Sequence, residues 1–143
     1  MKILLINGAN LNMLGTREPE KYGNISLADI ENSVIERGKE LGAEVDVWQS
    51  NHEGEIVDKL QASKGQYDGI LINAGGYTHT SVVIRDAIAA INIPTVEVHM
   101  TNIHAREEFR HTSLLSGVCI GQVVGFKELS YALALEGLIH YLK

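Results

Sequence analysis

At 143 residues, 45% of them apolar, the chain is long enough for one core and short for two, so a single domain over 1–143 is expected. A formal net charge of −6 argues against a general nucleic-acid surface, because that affinity comes from clustered Lys and Arg. One cysteine excludes an internal disulfide, no apolar run reaches the length of a membrane span, and the short N-terminal "ILLI" is no secretory h-region; a soluble, cytoplasmic protein without a membrane partner is expected.

"KILLIN" (2–7) predicts a first strand, apolar enough to be buried on both faces. A long polar loop follows, and Ser26 with Asp29 then makes a capping box that opens a helix running to about Leu41, where Gly42 stops it. "AEVDVWQ" (43–49) alternates as a second strand, and a helix over about 53–63 places Ile56, Val57 and Leu60 at helical spacing. "DGILIN" (68–73) predicts the third strand and "VVIRDAIAAI" the third helix. "PTVEVHM" (94–100) predicts the fourth strand, followed by a short helix at "AREEF". "GVCIGQVVG" is expected to be the fifth strand, with Cys119 acting as a small buried hydrophobe within it. A last helix is expected over about 127–142, its inner face offering Leu133, Leu138, Ile139 and Leu142.

Strands separated by helices imply right-handed crossovers and a parallel sheet covered on both faces. Five strands predict an α/β flavodoxin-like three-layer sandwich, strand order 2-1-3-4-5, whose ligand lies beyond the carboxyl ends of the strands. Polar side chains gather at that end: Asn10, Arg17 and Tyr22 after strand 1; Asn73 and His79 after strand 3; Glu97, His99, Thr101, Arg106 and Arg110 around and after strand 4.

Residue types exclude several uses of such a sheet. "GANLNMLG" lacks the dinucleotide-binding glycine spacing. Asn stands where a receiver domain needs acids, and no flavin phosphate loop follows strand 1. Four of the six histidines fall between 79 and 111, but in no usual metal-ligand spacing, so no metal is expected.

Glu97 and His99 alternate onto one face of a strand, where a carboxylate can fix the imidazole tautomer; a purely structural histidine satisfies the same pattern. A phenol becomes a usable base only beside a cation, which Arg17 on the same loop can supply to Tyr22. One helical turn would bring Arg106 and Arg110 to one side, either to hold an anion or to pair with Glu107 and Glu108. Backbone amides at 100–102 suit a carboxylate. These groups point to acid–base chemistry on a small, anionic, hydroxylated compound, without naming the reaction. A non-catalytic small-molecule-binding module remains open on this reading, as does a flavin electron carrier, which colour would reveal.

The stretches "NLNMLGTREPEKYG", "QSNHEGEIVDKLQ", "GGYTHTSVVIRDAI", "EVHMTNIHAREEFRHTS" and "GFKELSYALAL" together resemble type II 3-dehydroquinate dehydratases, in that family's order and over most of the chain. The resemblance implies a lyase that dehydrates 3-dehydroquinate to 3-dehydroshikimate by anti elimination through an enolate, without metal or cofactor, in aromatic amino acid biosynthesis or alternatively in quinate breakdown. By the same resemblance Tyr22 would be the base, Arg17 its activator and His99 the acid. Glu97 would orient His99, and Asn10 would place a water near the enolate oxygen. Asn73, His79 and Arg110 would bind substrate hydroxyls, Met100 and Thr101 the carboxylate, with Arg106 in the same loop. Asp86 would reach the site from a neighbouring subunit of a homododecamer, a tetramer of trimers. The loop carrying Arg17 and Tyr22 would be a lid. Ala9 and Ala74-Gly75-Gly76 depart from the family's proline-containing loops, and the two loops are expected to be looser for it.

Overall fold

A computed structural model describes residues 1–16, 20 and 24–143. Five strands, β1 (Lys2–Asn7), β2 (Glu44–Gln49), β3 (Gly69–Asn73), β4 (Thr95–His99) and β5 (Gly121–Val124), form one parallel sheet in the order β2-β1-β3-β4-β5. Among the described residues, α1 (Leu27–Glu40), α2 (Glu53–Ala62), α3 (Val82–Ile91) and α4 (Leu129–Leu142) connect and cover it. The expected flavodoxin-like order is the observed one.

Alternation along the central strands divides the core into two layers. Ile3 and Leu5 of β1 and Leu71 of β3 face α1 and α4, where they meet Ile30, Val34, Tyr131 and Leu138. Leu4, Ile6, Ile70 and Ile72 face the other way onto Ile56 and Leu60 of α2 and Ile84 and Ile88 of α3. Each such side chain, fully withdrawn from water, contributes about 1.5–3 kcal/mol. A strand buried on both faces must be apolar at every position, which is why "KILLIN" reads as a continuous run.

Local chemistry sets the helix ends. Ser26 accepts from the Asp29 amide and Asp29 from the Ser26 amide, the reciprocal capping box expected from the sequence. At the other end of α1, Gly42 takes φ +82; its amide donates to Lys39 O and the Ala43 amide to Gly38 O, a Schellman closure that needs a residue without Cβ strain at that point. Ser81 caps α3 by accepting from the Ile84 amide, and Asn92 ends it at φ 55.

Three expectations are corrected. The fifth strand is only Gly121–Val124, because β4 offers pairing partners from Val96, opposite Gly121, to His99, opposite Val124. Residues before it turn as a 3-10 helix (Ser116–Val118), so Cys119 lies ahead of the strand; it is half-buried, and burial pushes its thiol up to about 12. "AREEF" is not one short helix but two separate 3-10 turns, Ile103–Ala105 and Glu108–Arg110, with Arg106 extended between them. The His111 ring Nε2 takes the Arg106 carbonyl at 2.8 Å, an oxygen that a continuing helix would need. The last helix starts two residues late, because Lys127 sits at φ 54 with its amide on Met100 O at 2.9 Å. Its buried face adds Tyr131, Ala134 and Leu135 to Leu138 and Ile139, while Leu133 and Leu142 are half-buried.

Candidate active site

Parallel strands deliver their last residues to one edge, and here those residues are Asn7, Gln49, Asn73 and His99. A cavity opens above β1, β3 and β4. Of the residues singled out in the sequence, Asn10, Asn73, His79, His99, Met100, Thr101, Arg106 and Arg110 line it.

His99 is 6% exposed and Glu97 0%. Two residues apart on β4, they share a face, and His99 Nε2 stands 2.6 Å from Glu97 Oε2. The Glu97 carboxylate also receives the Ser113 hydroxyl, 2.8 Å from both oxygens, and the Gln122 amide at 3.1 Å. Burial acts to raise the Glu97 pKa, but the His99, Ser113 and Gln122 donors outweigh it and hold the group below the ordinary value. A carboxylate at Nε2 makes that nitrogen the protonated one, and Thr78 Oγ1 lies 3.3 Å from the same atom. Nδ1 is then the nitrogen left for the cavity.

His79 lies beside it, ring centroids 6.4 Å apart and planes inclined by 21°. Its Nδ1 donates to Thr112 O at 2.8 Å. Burial holds its pKa below the ordinary imidazole value, and His99 and Arg110 act the same way against the Thr112 carbonyl and Glu97. A neutral ring with Nδ1–H has its lone pair on Nε2, ready to accept from a hydroxyl.

Arg106 and Arg110 reach the cavity from the irregular segment after β4. Glu107 lies between them, its Oε1 3.2 Å from Arg110 Nε and 3.6 Å from Arg106 Nε. Glu107's pKa is lowered by its own backbone amide and by both guanidiniums. Arg106 Nη1 also lies 3.4 Å from Thr101 Oγ1. Guanidiniums at this end of the sheet are the groups suited to an anionic ligand. The turn that carries Met100 and Thr101 is anchored from behind, Gly125 N donating to His99 O and Lys127 N to Met100 O.

Asn73 is fixed from beneath. Its Nδ2 donates to the buried Tyr131 hydroxyl at 2.8 Å, that hydroxyl donates to Asn7 Oδ1 at 2.7 Å, and Asn73 Oδ1 accepts from Gly75 N. Asn10 takes φ 71, a left-handed conformation that Asn tolerates, and its amide donates to Asn51 Oδ1 at 3.0 Å. The loops after β1 and β3 cross in backbone contact, with Gly8 N on Asn73 O at 2.7 Å. A Cβ on Gly8 would lie 2.5 Å from Ala74 O, and one on Gly75 2.7 Å from Ala9 O. The proline-free loops expected to be loose are therefore packed backbone to backbone.

Of the remaining predicted residues, Asp86 is the one expected to serve a neighbouring subunit. Asp86 is on the outward face of α3, exposed and paired with Arg85 at 3.1 Å, away from the cavity. Arg17 and Tyr22 lie outside the described residues. Sequence reasoning passed over Ser113, Gln122 and Tyr131. Gln122 becomes visible once β5 is known to pair with β4, which sets it opposite Glu97. Tyr131 is an inward position of α4, and Ser113 carries no signal in the sequence. Among the described residues no group of His, Cys, Asp and Glu is arranged to hold a metal ion, and no helix is long and apolar enough to cross a membrane.

Residues 1–139 match the family described as dehydroquinase class II. The 3-dehydroquinate dehydratase of Prochlorococcus marinus (strain NATL1A) is 55% identical over 143 residues, covering 100% of this chain and 99% of that protein. The 3-dehydroquinate dehydratase of Dinoroseobacter shibae is 52% identical over 138 residues, 96% of this chain and 92% of its own length. The crystal structure of the type II dehydroquinase from Butyrivibrio crossotus aligns with a TM-score of 0.94 at 48% identity, covering 96% of this chain and 97% of that one.

Proposed function

This chain belongs to the class II dehydroquinase family, and we propose that it performs the family's reaction by acid–base chemistry carried on its own side chains. The reaction is the dehydration of 3-dehydroquinate, a hydro-lyase step of the shikimate pathway. The observation that carries the assignment of roles is the buried Glu97–His99 pair, which faces a cavity walled by Arg106 and Arg110.

In this reading Tyr22, with its phenolate stabilised by Arg17, takes a proton from C2 and leaves an enolate. The enolate collapses and breaks the C1–O bond. The departing hydroxyl takes a proton from protonated His99 and leaves as water, giving 3-dehydroshikimate. Glu97 stabilises the charged ring before transfer and fixes Nε2 as its own partner, so that Nδ1 delivers the proton. Asn10 holds the water that hydrogen-bonds the enolate oxygen. His79 Nε2, Asn73 and Arg110 bind hydroxyls, and the turn at Met100 and Thr101, backed by Arg106, holds the carboxylate. None of these steps calls for a metal or an organic cofactor.

We read the working unit as a cytoplasmic homododecamer of four trimers in which Asp86 completes a neighbour's site. Its support here is placement: Asp86 stands on the same outward face of α3 as Val82 and Val83, which are 56% and 51% exposed. The partners are then the substrate and copies of the same chain, with no nucleic acid or membrane.

The test is turnover of Tyr22→Phe and His99→Ala, followed by the ultraviolet absorbance of the conjugated enone product, with calorimetry for binding. Each loses about a thousandfold in kcat, the range of a lost proton-transfer group, while substrate still binds. Near-wild-type turnover in either removes that residue from its role. A monomer with full activity would remove Asp86 from the site.

A further inference from the structure

The dehydratase needs the Glu97 carboxylate ionised and aimed at the ring, yet Glu97 is wholly buried. Taking such a group from water is costly unless its oxygens are satisfied by donors. Ser113 and Gln122 supply them, and the direction of the Ser113 bond is settled by its neighbours. The Leu115 and Ser116 amides both donate to Ser113 Oγ, each at 3.1 Å, which occupies the hydroxyl's two lone pairs. Its one proton is thereby turned onto Glu97, 2.8 Å from either oxygen.

The residues on either side of Ser113 hold the rest of the site. Thr112 O accepts from His79 Nδ1, and Leu114 N donates to Thr78 O, the residue whose hydroxyl faces His99 Nε2. One three-residue run thus fixes the tautomer of His79 through Thr112 and that of His99 through Ser113 and Glu97.

We propose that Ser113 is a positioning residue for the dehydration: its hydroxyl holds the Glu97 carboxylate, ionised and oriented, against His99 Nε2. The proposal rests on His99 being the proton donor. Glu97 is faced by His99 from its own strand, Ser113 from the segment after β4, Gln122 from β5, Cys119 from the coil before β5, and His79 from the turn after β3. Cys119 is a neutral thiol and His79 is held toward its neutral form. Removing the Ser113 donor therefore lets Glu97 take up a proton at higher pH, which adds to the acidic limb that the Tyr22 base otherwise sets.

The experiment compares kcat, KM, the pH profile and the urea midpoint for Ser113→Ala, Ser113→Cys and Ser113→Thr, with His99→Ala alongside. Ser113→Ala lowers kcat about tenfold to a hundredfold, as expected for a lost hydrogen bond to a charged group, with KM changed little and the acidic limb moved upward. Ser113→Thr keeps most of the turnover, and Ser113→Cys, near-isosteric but a weak donor, falls between the two. A structural role predicts instead that turnover falls only with the urea midpoint across the three variants, whatever their donor strength, and that the acidic limb stays in place. Wild-type kcat and an unmoved limb in Ser113→Ala, with His99→Ala inactive, overturn the proposal alone; if Ser113→Ala does not fold, wild-type turnover in Ser113→Cys does so. Retained turnover in His99→Ala instead overturns the donor reading beneath it.

Discussion

Replacing Glu97 by Gln isolates what the carboxylate does, because shape and volume are nearly kept. Four contacts end on its two oxygens: His99 Nε2 at 2.6 Å, Ser113 Oγ at 2.8 Å to each, and Gln122 Nε2 at 3.1 Å. In Glu97→Gln one oxygen becomes an NH2 donor. Wherever it turns, it opposes a donor: the Ser113 hydroxyl, the Gln122 amide or the His99 Nε2–H. A hydrogen bond to a charged group contributes about 1.5–3 kcal/mol, which at about 1.36 kcal/mol per decade is roughly a tenfold to 160-fold loss in kcat. Forcing the ring into the other tautomer adds to this, and a comparable amide replacement beside a catalytic histidine is known to cost about 10⁴. The expected fall is therefore at least about tenfold and nearer a thousandfold if the ring flips. The assay is enone absorbance across pH. A Glu97→Gln enzyme with wild-type kcat would refute the reasoning.

Three further outcomes are expected. Tyr131→Phe strands Asn7 Oδ1 and Asn73 Nδ2 in the interior and lowers stability by about 1–3 kcal/mol in urea titration; KM rises as Asn73 loses its anchor. Gly8→Ala drives a Cβ to 2.5 Å from Ala74 O, backbone against backbone, and costs about 1–3 kcal/mol or more by thermal melting. Glu97 is held below its ordinary value of 4.5, so its contribution to stability is complete above that value and is lost as pH falls through the lower folded value. The wild-type urea midpoint should accordingly fall more steeply than that of Glu97→Gln as pH drops below the ordinary value of 4.5.

The sheet was legible because its central strands are buried on both faces: "KILLIN" and "DGILIN" leave no other reading, and the third helix was read to the residue over Val82–Ile91. The capping box at Ser26 and the glycine stop at Gly42 carry their geometry in the sequence. The end of the chain read less well, since the length of an edge strand depends on its neighbour. "GVCIGQVVG" is apolar throughout, but β4 pairs with only four of its residues. The irregular path of 103–110 is set by side-chain bonds to the backbone, such as His111 on Arg106 O five residues back, which hydrophobic periodicity does not reveal. In the site, Glu97 and His99 could be paired from alternation alone, whereas Ser113 and Tyr131 reach it only through tertiary packing.

The most direct test of the account is turnover of 3-dehydroquinate by protein stripped of metal with a chelator and exposed to borohydride in the presence of substrate. Dehydration on acid and base side chains alone predicts the full enone signal after both treatments. Activity lost to the chelator and restored by a metal ion, or lost to borohydride through a trapped imine, would contradict it.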